Sequence, residues 1–308
     1  MGQRASSTAP SAKAPTARDA GGVGAMRPML AERARALSSP HAALGSLVET
    51  VWTATHLLLY PLGALQPRVG TTDHGYRVEH LPPLQRSRIV AAVAESGTPI
   101  LLLHGMVDNH SIFTLLRRGL QRRGFTRLYS MNYSVRTSDV RTAAAQLAEE
   151  VELICEETGY ERIHVVAHSL GGLIARYYVT RLAGDERVHT VVTLGSPHQG
   201  THIARLAPTP ITRQLRPGSR LLDELERPSP GCATRFICFW SDTDAAILPA
   251  SNARLEHPDL TATNVALTGV GHLSLPILPS VVHQISASLT HLDSDGDPTA
   301  SVTQIPVG

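Results

Sequence analysis

Residues 163–179 read IHVVAHSLGGLIARYYV. A continuous apolar run of strand length meets a single serine, two glycines follow, and a longer apolar run resumes with a different period. The chain must therefore turn sharply at Ser169, from a buried strand straight into a buried helix. A strand that feeds a helix with almost no loop is the unit from which parallel sheets are built. No other stretch of the chain limits its fold as much.

The surrounding sequence repeats that alternation. PILLLHG (99–105) is a short apolar run suited to a buried parallel strand, and SIFTLLRRGLQRRG follows with helical spacing and a terminal Gly124. TRLYSMNY reads as a strand. SDVRTAAAQLAEEVELICEETG reads as a long helix, with Ser138 or Asp139 as its cap and Gly159 past its end. Beyond the elbow, RVHTVVTLGSP, TRFICFWS and TNVALTG read as strands and LPSVVHQISASLTHL as a last helix. GYRVEHL and SRIVAAVA, near residues 74–94, read as two further strands. The expectation is an α/β fold with a mainly parallel sheet, helices on both faces, and a domain spanning 69–292. Residues 200–231 fit no strand; prolines and two short helical patches predict an insertion over the carboxyl ends of the strands, a cap or lid.

The ends read differently. Residues 1–43 begin with an Ala/Ser/Thr/Pro/Gly-rich stretch that has almost no large apolar side chains, and this predicts a disordered segment. Residues 44–68 predict an apolar helix. Within it, 46–66 carry one charge, Glu49, and suit either peripheral membrane contact through Trp52 and Tyr60 or packing on the domain behind. Glu49, His56 and Pro61 argue against a membrane span. Residues 293–308 read as a loose polar tail.

A parallel α/β sheet presents ligands at the carboxyl ends of its strands, which is where Ser169 falls. A turn this tight leaves no space for side chains two positions either side, and those positions hold Ala167 and Gly171. The helix that follows aims its N-terminal N–H groups at the serine, where negative charge develops during acyl transfer. A serine hydroxyl needs a base, and the base needs an orienting acid. In this architecture the acid and the histidine follow the serine along the chain, each after a late strand. Asp242 and Asp244 follow TRFICFWS, and His272 follows TNVALTG. Asp244 is preferred, with Asp242 read as a turn residue capping its loop. His168, at the elbow's variable position, is expected to point away from the site. The oxyanion donors are expected to be the N–H groups of Leu170 and Met106, with His104 and Gly105 forming the turn that carries Met106. His198, at the end of another strand, is expected to line the site. In the insertion, Leu206 and Leu215, with Ile203, Ile211, Leu221 and Leu222, could face an acyl chain or simply pack on the core.

LLLHG, VVAHSLGGLIARYY, VTLGSPHQGT, SDTDAAILP and GVGHLSL, in this order, resemble the α/β-hydrolase lipases of bacteria. The Ala-His-Ser form of the elbow is similar to that of the small secreted lipases, and the Gly-Ser-Pro-His string to that of larger triacylglycerol lipases. The resemblance spans about residues 95–290. It implies a carboxylester hydrolase with Ser169, Asp244 and His272 as triad, acting on acyl esters or lipids without a cofactor or metal. Acyl transfer or thioester hydrolysis on the same triad, or a non-catalytic binding role, remain the alternatives. Secreted relatives begin with a cleavable signal; residues 1–26 have no apolar core of that kind, so a cytoplasmic or membrane-associated location is expected.

The net charge of +2, from 28 basic and 26 acidic residues, gives no basic excess for binding nucleic acid. The three cysteines, Cys155, Cys232 and Cys238, have no metal-ligand spacing. Cys155 reads as a buried thiol, and Cys232 and Cys238 would form a bridge only in an exported protein.

Overall fold

A computed structural model describes residues 68–70, 97–106, 110–133 and 139–290. Among the described residues seven strands form one sheet: β1 (Arg68–Gly70), β2 (Ile100–Leu103), β3 (Leu128–Met131), β4 (Ile163–His168), β5 (Val188–Leu194), β6 (Arg235–Ser241) and β7 (Thr261–Leu267). Their order is β1-β3-β2-β4-β5-β6-β7. β1 runs antiparallel to β3, and every other pairing is parallel. The helices are α1 (Thr114–Gln121), α2 (Val140–Thr158), α3 (Leu170–Arg181), the short α4 (Pro210–Gln214) and α5 (Arg220–Leu225), and α6 (Pro279–Thr290).

The expected N-terminal disorder (1–43), most of the apolar helix (44–68), the strands expected near 74–94 and the loose tail (293–308) lie outside the described residues. Arg68, placed at the end of that helix by the sequence, instead starts β1, where its backbone pairs with Met131.

Side chains alternate along each buried strand, so consecutive residues reach opposite faces. Leu101, Leu103, Val165, Ala167, Val191, Phe236 and Cys238 join the core beneath α2 and α3. Ile100, Leu102, Val166, Val192, Ile237 and Phe239 join the core beneath α1 and α6. Two cores on two faces are what a strand of unbroken hydrophobicity requires, and they fix β4 at the centre of the molecule. Burying one leucine of this kind contributes about 2 kcal/mol.

α2 carries its apolar residues on one stripe, Val140, Ala143, Ala144, Leu147, Val151 and Ile154, all buried. Asp139 is its cap; Oδ1 accepts the Arg141 N–H at 2.9 Å. α3 is buried almost all round, because the sheet, α2 and α5 enclose it.

The insertion between β5 and β6 sits on the α2–α3 face. Leu215, Leu221, Leu222 and Leu225 are part of that core. Arg176 of α3, fully buried, donates to Leu225 O at 3.0 Å and Glu226 Oε1 at 2.9 Å. Arg141 of α2 donates to Glu224 Oε2 at 2.9 Å. The base of the insertion is thereby tied to α2 and to α3, the helix that follows Ser169. The three cysteines are free thiols, so the Cys232–Cys238 bridge does not form; Cys238 is buried in β6, where its thiol is pushed up to about 11 by burial. Among the described residues no helix is long and apolar enough to cross a membrane.

Candidate active site

β4 ends at His168, and α3 starts at Leu170. Ser169 makes the whole turn, with φ 53° and ψ −121°. A non-glycine residue in that region stores strain of about 1–3 kcal/mol, held only because both flanking elements are locked in cores. The Ser169 N–H donates to Leu194 O at 2.9 Å, and Ser169 O accepts the Gly172 N–H at 3.1 Å. The tightness also explains Gly171. A Cβ there would lie 2.5 Å from Leu103 O and 2.6 Å from His104 O, so the first turn of α3 can seat against the end of β2 only with glycine.

Two strands further along the sheet, β6 ends at Ser241 and the loop brings in Asp242 and Asp244. The two acids do different things. Asp242 Oδ1 accepts the Gly269 N–H at 2.9 Å and so ties its loop to the one after β7. Asp244 is 2% exposed; Oδ1 accepts the Ala246 N–H at 2.8 Å and the Ile247 N–H at 3.1 Å. Its other oxygen, Oδ2, lies 2.8 Å from His272 Nδ1. The carboxylate is thus held by backbone donors on one side and faces the imidazole on the other.

Between them, after β5, stands Gly195, with φ 59°. A Cβ on it would lie 2.9 Å from Asp244 Oδ2, 3.0 Å from His272 Nδ1 and 2.8 Å from Leu275 Cδ1. Gly195 is therefore the floor under the Asp244–His272 pair, and its own neighbour Leu194 holds the Ser169 amide. The sequence drew attention to this string through His198; its closer bearing on the pair is through the glycine, and the signal was the glycine standing at a strand's carboxyl end.

His168 does not point away, as expected from the sequence. It is buried, its Nε2 is 3.1 Å from His272 O, and its ring packs 4.7 Å from the His272 ring. The reason is that the turn is so tight that the residue before Ser169 is still in the strand, and its side chain projects under the loop after β7.

The loop after β2 closes over Ser169. A Cβ on Gly105 would lie 3.0 Å from Ser169 Cβ and 3.3 Å from His168 Nδ1. His104 is buried, and its Nδ1 lies 2.8 Å from Gly105 O. Met106 is 39% exposed at the edge of this loop. Leu170 is buried as the first residue of α3, whose dipole places partial positive charge there.

The remaining expected residues sit elsewhere. His198 is buried below the sheet's edge, with Nε2 3.1 Å from Thr193 Oγ1 and 3.7 Å from Cys238 Sγ; its neighbours belong to the core rather than to the Ser169 surface. Burial, reinforced by Arg176, holds its pKa well below the usual imidazole range, so it is neutral. Leu215 is 5% exposed inside the α2–α3 core, and Leu206 is 76% exposed to solvent. The two short apolar patches of the insertion thus serve mainly to seat it. Among the described residues no group of three or more His, Cys, Asp or Glu is arranged to hold a metal ion.

The family described as palmitoyl protein thioesterase matches residues 99–226. Among curated proteins, the chain is 28% identical over 119 residues to a triacylglycerol lipase of Pseudarthrobacter phenanthrenivorans, covering 36% of each chain. It is 29% identical over 125 residues to one of Burkholderia plantarii, covering 37% of this chain and 34% of that protein. The match thus spans about a third of the length of these relatives. Among solved structures, mature lipase BlEst2 of Bacillus licheniformis superposes with a TM-score of 0.55 at 17% identity, covering 72% of this chain and 97% of that one. Lipase B of Aspergillus fumigatus gives 0.58 at 18% identity, covering 68% and 56%. The protein has the α/β-hydrolase fold, and its sequence is similar to bacterial triacylglycerol lipases.

Proposed function

We propose that this α/β-hydrolase-fold protein is a serine carboxylester hydrolase acting on acyl esters, lipids among them, through an acyl-enzyme. The observation that carries the reading is the 2.8 Å contact between Asp244 Oδ2 and His272 Nδ1, on the sheet edge where Ser169 is strained into a one-residue turn. Asp244 keeps the proton of His272 on Nδ1, which leaves Nε2 as the base. His272 Nε2 takes the proton of the Ser169 hydroxyl as Oγ bonds to the acyl carbon. The carbonyl oxygen becomes an oxyanion facing the N–H groups of Leu170 and Met106. The tetrahedral species collapses, His272 returns the proton to the departing alkoxide, and water repeats the sequence to free the acid. No cofactor is required. Peripheral membrane contact through residues 46–66 is part of the same reading.

A second leaving group has support. The family matched over residues 99–226 is described as a thioesterase, and the triad chemistry accepts a thiolate as readily as an alkoxide. The deciding measurement is labelling by a fluorophosphonate probe, followed by turnover of p-nitrophenyl acetate, p-nitrophenyl palmitate and palmitoyl thioester. Labelling of the wild type but not of Ser169→Ala is expected, with a loss of turnover on the order of 10³-fold or more. Ester turnover that rises with chain length supports a lipase; a maximum at acetate favours a small-ester esterase, and preference for the thioester favours the second reading. A wild type that neither labels nor turns over any of the three refutes the hydrolase.

A further inference from the structure

The loop that bears Met106 is held from below by a residue that the sequence reading did not single out. Tyr133 lies two residues past the end of β3 and is 7% exposed. Its hydroxyl is 2.8 Å from His104 O and 2.9 Å from Gly105 O. Its ring stacks on the His104 imidazole, with centroids 4.3 Å apart and planes 10° from parallel. His104 Nδ1 adds a third polar contact, at 2.8 Å from Gly105 O. Two consecutive carbonyls, in a loop that closes over Ser169, therefore converge on one buried phenol.

That convergence has a geometric consequence. A trans peptide is planar, with its C=O and N–H on opposite sides. Turning Gly105 O towards Tyr133 turns the Met106 N–H away from it. Turning His104 O the same way does the same to the Gly105 N–H. The one O–H proton is shared between the two carbonyls, with His104 Nδ1 also beside Gly105 O, and rotating either peptide would take a buried carbonyl away from these partners, which is costly. A Cβ on Gly105 itself would stand 3.0 Å from Ser169 Cβ.

We propose that Tyr133 is a positioning residue for the oxyanion site: its hydroxyl fixes the two peptide planes His104–Gly105 and Gly105–Met106, and so aims the Met106 N–H at the forming oxyanion. The proposal rests on the hydrolase reading above. Tyr133 touches no reacting atom; it acts through the loop.

The test is Tyr133→Phe, which keeps the stacked ring and removes only the hydroxyl. Loss of a whole oxyanion donor costs about 10²–10³-fold in kcat. A donor that is present but poorly aimed is expected to cost roughly 10- to 100-fold in kcat with KM changed less than about threefold. The readout that separates aiming from general stability is a trifluoromethyl ketone inhibitor, which forms a tetrahedral adduct with a serine nucleophile. Its Ki is expected to weaken by the same factor as kcat/KM, because both report transition-state binding. Unchanged kcat and Ki in Tyr133→Phe, with the wild type active, overturn the proposal and leave the hydrolase intact. A fall in kcat with unchanged Ki, or a variant that no longer folds, also overturns it, by making the hydroxyl structural. A wild type that resists the fluorophosphonate and hydrolyses no ester overturns the hydrolase reading first, and this proposal with it.

Discussion

His168 Nε2 lies 3.1 Å from the backbone oxygen of His272, and the two rings pack 4.7 Å apart. The residue before Ser169 thus supports the loop that presents His272. With a proton on Nε2, His168 donates to that oxygen and holds the backbone of His272 in place. His168→Phe keeps the ring and deletes the donor. The expected result is a kcat lowered about 10- to 100-fold, since displacement of a catalytic group by about 1 Å costs up to 10²-fold. KM for a p-nitrophenyl ester and the labelling stoichiometry are expected to stay near wild type. A variant with wild-type kcat would reduce His168 to packing.

The two acids of the SDTD string should separate cleanly. Asp244→Asn leaves the shape but can present an amide N–H to His272 Nδ1, which favours the wrong tautomer; the expected fall in kcat is about 10⁴-fold, as for other triads. Asp242→Asn keeps an oxygen for the Gly269 N–H, so it is expected to stay within about threefold of wild type. Steady-state kinetics on one ester decides the matter, and a reversed order of the two losses would move the orienting role to Asp242.

Much of this fold could be read before any coordinates, because a parallel strand buried on both faces writes itself as an unbroken apolar run. β2 (ILLL) and the FICFW of β6 do so, β4 and β5 nearly so with His and Thr among their apolar residues, and the helices between them announce their ends with Asp139, Gly124 and Gly159. Ser169 stood out because strand and helix periods meet at one residue. What could not be read was direction and distance. Whether His168 points towards or away from His272 depends on the path of a turn one residue long. Tyr133 touches carbonyls 28 and 29 residues away in the chain, and no local pattern carries that. The leucines of 200–231 have one spacing whether they face an acyl chain or α3, so Leu215 and Leu206 could not be told apart by sequence. Asp242 and Asp244 differ only in which backbone N–H groups the folded loops bring to them.

Buried histidines away from the site make the fold acid-sensitive. His164 of β4 is fully buried, and among the described residues its Nδ1 has no hydrogen-bond partner. Burial first, then the neighbouring His189, Arg235 and Arg162, lower its pKa to about 3 from an ordinary 6.5. His198 shifts in the same direction. Between those limits the unfolded chain binds a proton that the folded chain refuses, so stability rises with pH across the window and is lost as pH falls from about 6.5 towards 3. The full effect of His164 is on the order of 5 kcal/mol. His164→Val, which suits a central strand, is expected to flatten the slope of unfolding free energy between pH 6 and 4 in urea titrations. An unchanged slope would mean that His164 is protonated in the fold.

Ser169 itself should be a place where function opposes stability. Its φ of 53° and ψ of −121° suit glycine and strain any residue with a Cβ. Ser169→Ala removes the hydroxyl but keeps the Cβ, so the strain stays. Ser169→Gly releases about 1–3 kcal/mol of strain, offset by about 0.5–1 kcal/mol of extra entropy in the unfolded chain. The glycine variant is therefore expected to exceed the alanine variant in unfolding free energy by about 1 kcal/mol, while neither takes the fluorophosphonate. Chemical denaturation of the two inactive proteins, compared side by side, measures the difference without interference from turnover. Equal stability would mean that the elbow is relaxed at this residue, and that its backbone is held by the surrounding cores at no local cost.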